Sequence, residues 1–324
     1  MSATTSAIIA RHDAEGGHPA VTFRRAGDSA VLVEYGEMEF DLKLNFFALA
    51  VDAALGERHP EGVVETAPGF RSMLVSYDPA KLSAGDLVER VAEVHASLPA
   101  EREMEIPSRL IRMPIAFEDT QTKAAVDRYI HTIRNDAPNC EGANNVDYIV
   151  RANGYADREA FYESVLASEH WTAFIGFFPG LPFMLPLVPR HVPVVPKYNP
   201  TRTWTAEGAV GLGGPCYAIY PVESAGGYQL FGRTLPIYDL EGRNAVFREN
   251  PLLLRPGDRV RFHRIEEDEL MSLFEDVRAD RFAYEIAEQP LDVGAYLQSL
   301  EDHAETAERW RRTRDAAAAR TPVP

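Results

Sequence analysis

The stretch Pro196–Arg233, PKYNPTRTWTAEGAVGLGGPCYAIYPVESAGGYQLFGR, sets cations (Lys197, Arg202, Arg233) and amides (Asn199, Gln229) among glycines, prolines and aromatics. A packed core rarely takes that mixture, because burying charge and amide groups without partners is costly. A binding site takes it readily: glycine lets a ligand approach the backbone, and Arg and Asn supply directed donors. The glycines of Gly208–Gly214 match neither G-x-G-x-x-G ahead of a helix nor G-x-x-x-x-G-K-[ST], so they do not read as a nucleotide loop. Around them, from Trp171 to about Val260, short apolar runs alternate with Pro and Gly, the texture of an all-β barrel or sandwich.

Working outward, Arg255-Pro-Gly-Asp258 is a turn into a strand at Arg259–Ile265, followed by a short acidic helix at Glu266–Asp276. Upstream, Thr22–Tyr35 reads as two strands around a Gly27-Asp28-Ser29 turn, and Leu42–Leu55 has helical spacing. Gly62–Pro68 and Phe70–Tyr77 read as strands, and Ser83–Leu98 as a helix opened by a Ser83/Asp86 capping pair. With Arg109–Pro114 extended, the order βαββαβ predicts a ferredoxin-like, split-βαβ domain. Helices are expected at Thr120–Arg134, at Val146–Ala152 and after Asp157. Leu291–Arg320 is helical, capped by Asp292, with Tyr296, Leu300, His303, Ala307 and Trp310 forming one apolar stripe. The expected division is a disordered N-terminus (1–19), an α+β domain (20–105), a β-barrel domain (106–280) and a helical tail (281–324).

The formal charge of -16 argues against nucleic-acid binding, which needs clustered Lys and Arg. No run approaches the ~18 apolar residues of a membrane helix, and the first residues do not form a secretory signal. Cys140 and Cys216 are too few for a disulfide scaffold or a Cys-based zinc site, which suits a cytoplasmic protein. The nine histidines form no H-x-x-x-H pattern, so no metal is expected, and there is no G-x-S-x-G elbow.

Four ordered segments resemble the subunit-1 half of the carboxyltransferases in the group of urea carboxylase, allophanate hydrolase subunit 1 and the KipI-type subunit of 5-oxoprolinase. They are Phe23–Ala30 (FRRAGDSA), Pro68–Pro79 (PGFRSMLVSYDP), Phe174–Phe183 (FIGFFPGLPF) and Ser224–Thr234 (SAGGYQLFGRT). Ala225 stands where the group usually has proline. Lys197–Gly214 and Arg112–Asp119 look like the urea carboxylase version, whereas Gly176–Phe183 is closer to the 5-oxoprolinase version. The resemblance implies a cyclophilin-like fold for the barrel. It also implies carboxyl transfer from carboxybiotin to the nitrogen of urea or a related amide or guanidino compound, with ATP used by a partner subunit. No Met-Lys-Met biotinylation sequence and no biotin carboxylase region occurs, so the implied partners are a carboxyltransferase subunit 2 (KipA-like) chain, a biotin carboxylase and a biotin carrier protein. Two alternatives stay open: the KipI-type subunit of an ATP-dependent 5-oxoprolinase, and a KipI-like inhibitor of a histidine kinase.

Carboxyl transfer needs a cation for the carboxylate, donors for developing negative charge and an oriented acceptor nitrogen. Arg202 and Arg233 are candidates for the carboxylate, against a role bracing loops. Lys197 is a candidate CO2-binding cation or base, against a solvated lysine. Tyr198 and Asn199 are candidates to orient the acceptor, against turn chemistry for Asn199 before Pro200, and Gln229 to bond a urea-like amide, against satisfying strand backbone. Gly213, Gly214, Gly226 and Gly227 would bring backbone donors close, or simply make tight turns. His191, in Pro189-Arg-His-Val-Pro193, is a candidate for substrate binding, against a loop histidine bonded to backbone.

Overall fold

The computed structural model describes residues 6–188 and 192–324. Its chain folds into two units, one of residues 1–107 with 290–298 and one of residues 108–289 with 299–324.

In the first unit, strands β1 (Ile8–His12), β2 (Val21–Arg25) and β3 (Ala30–Tyr35) lead into helix α1 (Leu42–Arg58). Strands β4 (Val63–Pro68) and β5 (Ser72–Tyr77), helix α2 (Ala84–Ser97) and the short strand β6 (Glu105–Ile106) follow. The five-stranded sheet has the order β1-β2-β3-β5-β4 and is antiparallel throughout. The β3-α1-β4 crossover therefore spans β5, which is the split-βαβ arrangement. The outer place beside β3 is filled by β2, not by the strand after α2. Alternation in β3 and β5 sends Val31, Val33 and Tyr35, with Met73, Val75 and Tyr77, into the core. Leu87, Val88, Val91 and Val94 of α2 are buried in this unit's core. Ser83 caps α2: its hydroxyl accepts from the Asp86 N–H at 3.1 Å and donates to the Asp86 carboxylate at 2.8 Å. The expectation of a disordered first 19 residues is corrected at β1, which pairs with β2 from His12↔Val21 to Ile8↔Arg24.

In the second unit, strand β7 (Arg109–Phe117) precedes helices α3 (Thr120–Thr132), α4 (Asn145–Asn153) and α5 (Arg158–Leu166). Strands β8 (Glu169–Ile175), β9 (Pro182–Pro186), β10 (Ala209–Gly213), β11 (Cys216–Ile219), β12 (Gln229–Arg233) and β13 (Arg259–Arg264) complete a barrel, and helix α6 (Glu267–Arg278) follows. Among the described residues the barrel has the order β12-β10-β11-β9-β8-β13-β7 and closes where β12 pairs with β7. Closure needs a glycine at 232, since a Cβ there would lie 2.6 Å from the Ala116 carbonyl oxygen. The β7–β13 pair is parallel and the other barrel pairs are antiparallel, so the sheet is mixed. Ile111, Met113, Ile115, Val210, Leu212, Tyr217, Phe231 and Val260 fill the core.

Strand β14 (Glu285–Glu288) lies along the first half of β7, and β15 (Leu291–Asp292) pairs with β6 in the first unit. Residues 285–288 and 291–292 are thus strands within a region expected to be helical. Ile286 packs on the barrel core while Glu285, Ala287 and Glu288 are exposed, and pairing with β7 holds the segment extended. Helices α7 (Val293–Asp302) and α8 (Ala304–Ala318) end the chain. Asp292 accepts from the Ala295 N–H at 2.9 Å, as a cap should. In the second unit α8 lies on α4, with Trp310 against Tyr155 at 4.8 Å. Among the described residues no helix is long and apolar enough to cross a membrane. The α+β class, with an N-terminal antiparallel sheet, a β-barrel and C-terminal helices, is as the sequence indicated.

Candidate active site

The Pro196–Arg233 stretch builds a slot on the barrel unit of about 140 Å³, lined by Lys197, Thr201, Ala218, Tyr220, Gly227 and Tyr228, with Phe177, Leu181 and Phe183 completing the wall. The Lys197 ammonium stands 5.2 Å from the centre of the Tyr228 ring. Among the described residues no acidic side chain lines the slot. Cys216 lies near: burial pushes its thiol up to about 11, with Lys197 acting in the opposite direction. At that value it is a neutral thiol and no nucleophile. Phe177 is 73% exposed and sits at φ 67, a conformation uncommon for an aromatic residue.

Behind the slot lies a buried polar network. The Tyr198 hydroxyl donates to Asn145 Oδ1 at 2.8 Å, and the same oxygen accepts from the Leu230 N–H at 2.9 Å. Asn145 Nδ2 donates to the Asn139 carbonyl at 2.7 Å, and Asn139 Nδ2 to Gln229 Oε1 at 3.0 Å. Gln229 Nε2 closes the chain on the Pro196 carbonyl at 2.8 Å. Burial pushes the Tyr198 hydroxyl well up, so it stays a proton donor at neutral pH.

The three expected cations have different surroundings. Lys197 is exposed at the slot. Arg202 is 1% exposed: it donates to the Tyr228 carbonyl at 2.6 Å and to Thr205 Oγ1 at 3.1 Å, and its guanidinium lies 4.5 Å from the Tyr198 ring centre. Its Nε has no partner among the described residues. Arg202 therefore braces the wall that carries Tyr228. Arg233 sits at the far end of β12, four residues and about 13 Å along the strand from Gln229. There it donates to the Glu207 carbonyl at 2.8 Å and lies 4.3 Å from the Phe274 ring centre. Burial lowers its proton affinity, with Asp119 and Glu207 acting in the opposite sense. The structure does not bring Arg202 and Arg233 together on one ligand.

Gln229 is fully buried, its amide spent on Pro196 and Asn139. Asn199 is exposed, and its carbonyl accepts from Arg134 at 3.1 Å. The Gly214 N–H is taken by Val195 and the Gly226 N–H by Arg202, while the Gly227 carbonyl accepts from Tyr198. Gly213 is packed against the Tyr228 ring. These glycines hold the loops against one another. His191 lies outside the described residues. Among the described residues no cluster of His, Cys, Asp or Glu is arranged to hold a metal ion.

Sequence reasoning missed the aromatic walls and the two asparagines. The walls were within the 174–183 and 224–234 motifs, as Phe183 and Tyr228. Asn145 had a subtler signal: Asn144 already caps α4 by accepting from the Val146 N–H, which leaves a second asparagine with no local purpose.

The family profile described as "Carboxyltransferase domain, subdomain C and D" matches residues 21–247, and the chain belongs to that family. It is 36% identical over 303 residues to the urea amidolyase of Lachancea kluyveri, covering 93% of this chain and 16% of that protein. It is 29% identical over 247 residues to a 5-oxoprolinase subunit of Bacillus subtilis, covering 74% of this chain and 91% of that one. The crystal structure of the K. lactis urea amidolyase superposes with a TM-score of 0.84 at 33% identity, over 97% of this chain and 19% of that chain. The chain thus spans less than a fifth of the length of these urea amidolyases.

Proposed function

We propose that the slot is the carboxyl-transfer site of a biotin-dependent carboxylase acting on urea or a related amide or guanidino compound. One observation carries this reading: among the described residues lining the slot, Lys197 is the one charged group, in a wall otherwise of aromatic, aliphatic, hydroxyl and glycine residues. A cation beside such walls gains in strength toward developing negative charge once a bound ring shuts water out of the slot. The walls of Phe183 and Tyr228, with the Lys197 ammonium near the Tyr228 ring, suit a flat uncharged ring presenting a carboxylate. Biotin, when bound, supplies the carboxyl group in activated form. Lys197 holds that carboxylate, Tyr228 and Phe183 exclude water from it, and Arg202 keeps the Tyr228 wall in place. ATP-driven activation, the biotin carrier and the subunit-2 partner lie on other chains or segments. The free, buried Cys140 and Cys216 agree with a reducing, cytoplasmic setting.

The test is transfer of labelled carboxylate to urea by the chain reconstituted with its carboxylase, carrier and subunit-2 partners. Lys197→Met should lower transfer ~10²-fold, the scale for losing one preorganised charge-stabilising group. Undiminished transfer by folded Lys197→Met protein removes Lys197 from the chemistry. A second reading, the KipI-type subunit of a 5-oxoprolinase, draws on the match that covers 91% of the Bacillus subtilis chain. Glutamate formed from 5-oxoproline, with no carboxylated urea, would select it.

A further inference from the structure

Lys197 is held by its neighbours on both sides. Before it, Val195 exchanges two backbone hydrogen bonds with Gly214, at 2.8 and 3.1 Å, and the Pro196 carbonyl receives Gln229. After it, the Tyr198 N–H donates to the Gly227 carbonyl at 2.7 Å, and the Tyr198 hydroxyl reaches Asn145. We infer that Asn145 is a positioning residue for Lys197, acting through Tyr198 to hold the ammonium over the Tyr228 ring; this rests on the carboxylate-holding role proposed for Lys197.

Hydrogen-bond chemistry fixes the sense of the network. Leu230 offers a backbone N–H, which can only donate, so the Asn145 atom facing it is the oxygen. That oxygen then obliges the Tyr198 hydroxyl to donate, and leaves the Cys140 thiol, 3.5 Å away, as donor to Tyr198. At the other end the Pro196 carbonyl can only accept, so Gln229 presents Nε2 to it and Oε1 to Asn139. Each donor has one orientation, and the Lys197 backbone has one seat. Removing the Asn145 oxygen strands two buried donors at once, the Tyr198 O–H and the Leu230 N–H, and frees the Tyr198 ring to turn. A displacement of about 1 Å at a reacting group is enough to cost ~10²-fold in rate.

The chain contains four lysines, Lys43, Lys81, Lys123 and Lys197, so reductive methylation with 13C gives a simple NMR spectrum. The Lys197 methyl signal, assigned by its loss in Lys197→Arg, should be displaced upfield by the Tyr228 ring. In Asn145→Ala it should move to the position of the exposed Lys81. Tyr198→Phe removes only the hydroxyl and should also release the signal, which decides the matter should Asn145→Ala fail to fold. An unmoved Lys197 signal in folded Asn145→Ala, or in Tyr198→Phe, overturns the inference. In the reconstituted complex Asn145→Ala should lower kcat ~10- to 10²-fold with KM little changed. Loss of transfer in Lys197→Met with an unmoved signal in Asn145→Ala would sink only the positioning role. The converse pair of results would sink the role of Lys197 and leave its seat established.

Discussion

Gly213 and Gly214 are adjacent and are needed for unrelated reasons, which makes them a sharp test of the slot. A Cβ on Gly213 would lie 2.3, 2.5 and 2.8 Å from three carbons of the Tyr228 ring. Carbon contacts relax at about 3.5 Å or more, so the ring would have to move about 1 Å. It has little freedom to do so: Tyr228 is 7% exposed and its carbonyl is held by Arg202. Overpacking of this kind costs about 1–3 kcal/mol, offset by at most about 1 kcal/mol from the stiffer unfolded chain. Gly213→Ala should therefore destabilise the barrel unit by about 1–2 kcal/mol and push Tyr228 from beneath Lys197. Gly214 has open space around its Cβ position but sits at φ 58, so Gly214→Ala strains the backbone by about 1 kcal/mol and leaves the ring alone. Urea unfolding followed by tryptophan fluorescence reports this unit, since Trp171, Trp204 and Trp310 all lie in it. Tyr228→Leu in the Gly213→Ala background should recover most of the loss, whereas in the Gly214→Ala background it should recover none. Additive losses for the Gly213/Tyr228 pair would refute the packing argument.

Arg202→Met keeps an apolar stem but leaves the buried Tyr228 carbonyl without its donor. It should cost about 1–3 kcal/mol in the same unfolding assay, and Arg202→Lys should not fully restore it, because an ammonium lacks the planar fork. Asp258 is 1% exposed and receives Arg109 at 2.6 and 2.9 Å and the Arg255 N–H at 2.8 Å, so Asp258→Ala strands a buried charge and should cost about 3–5 kcal/mol, read as the shift in the urea midpoint. In the first unit His95 is held down to about 4, by burial first and then by His18 and His12. The folded state therefore binds this proton more weakly than the unfolded chain, so its stability is intact above about pH 6.5 and falls as pH drops from there toward 4, by on the order of 2 kcal/mol. Amide exchange of α2 should quicken over that window, and His95→Gln should flatten the dependence.

What the sequence disclosed, it disclosed through local patterns. The Ser83 cap, the Asp157 cap and the Arg255–Asp258 turn are decided by residues within a few positions of each other, and each appears where its pattern lies. Strand β1 escaped because IIARH has no alternation strong enough to stand alone, and its place depends on the edge offered by β2. Strand β14 escaped for a similar reason. The first half of β7 has an edge that β12 leaves open, and nothing within residues 285–288 announces it. The site divides along the same line. Composition showed that Arg202, Arg233 and Lys197 were unusual, but not where each cation would point. Gln229 and Arg233 stand at opposite ends of β12, and a register shift against β10 between Val210 and Gly211 breaks the alternation between them. Arg202 is claimed by a carbonyl 26 residues away, and Tyr198 by an amide 53 residues away. A cation among glycines can become a ligand's partner or a loop's brace, and the choice is made by which distant carbonyls reach it first. Arg202 meets the Tyr228 carbonyl and is used up. Lys197, with Pro196 and Tyr198 tied down on either side of it, has no such acceptor among the described residues and is left facing the slot.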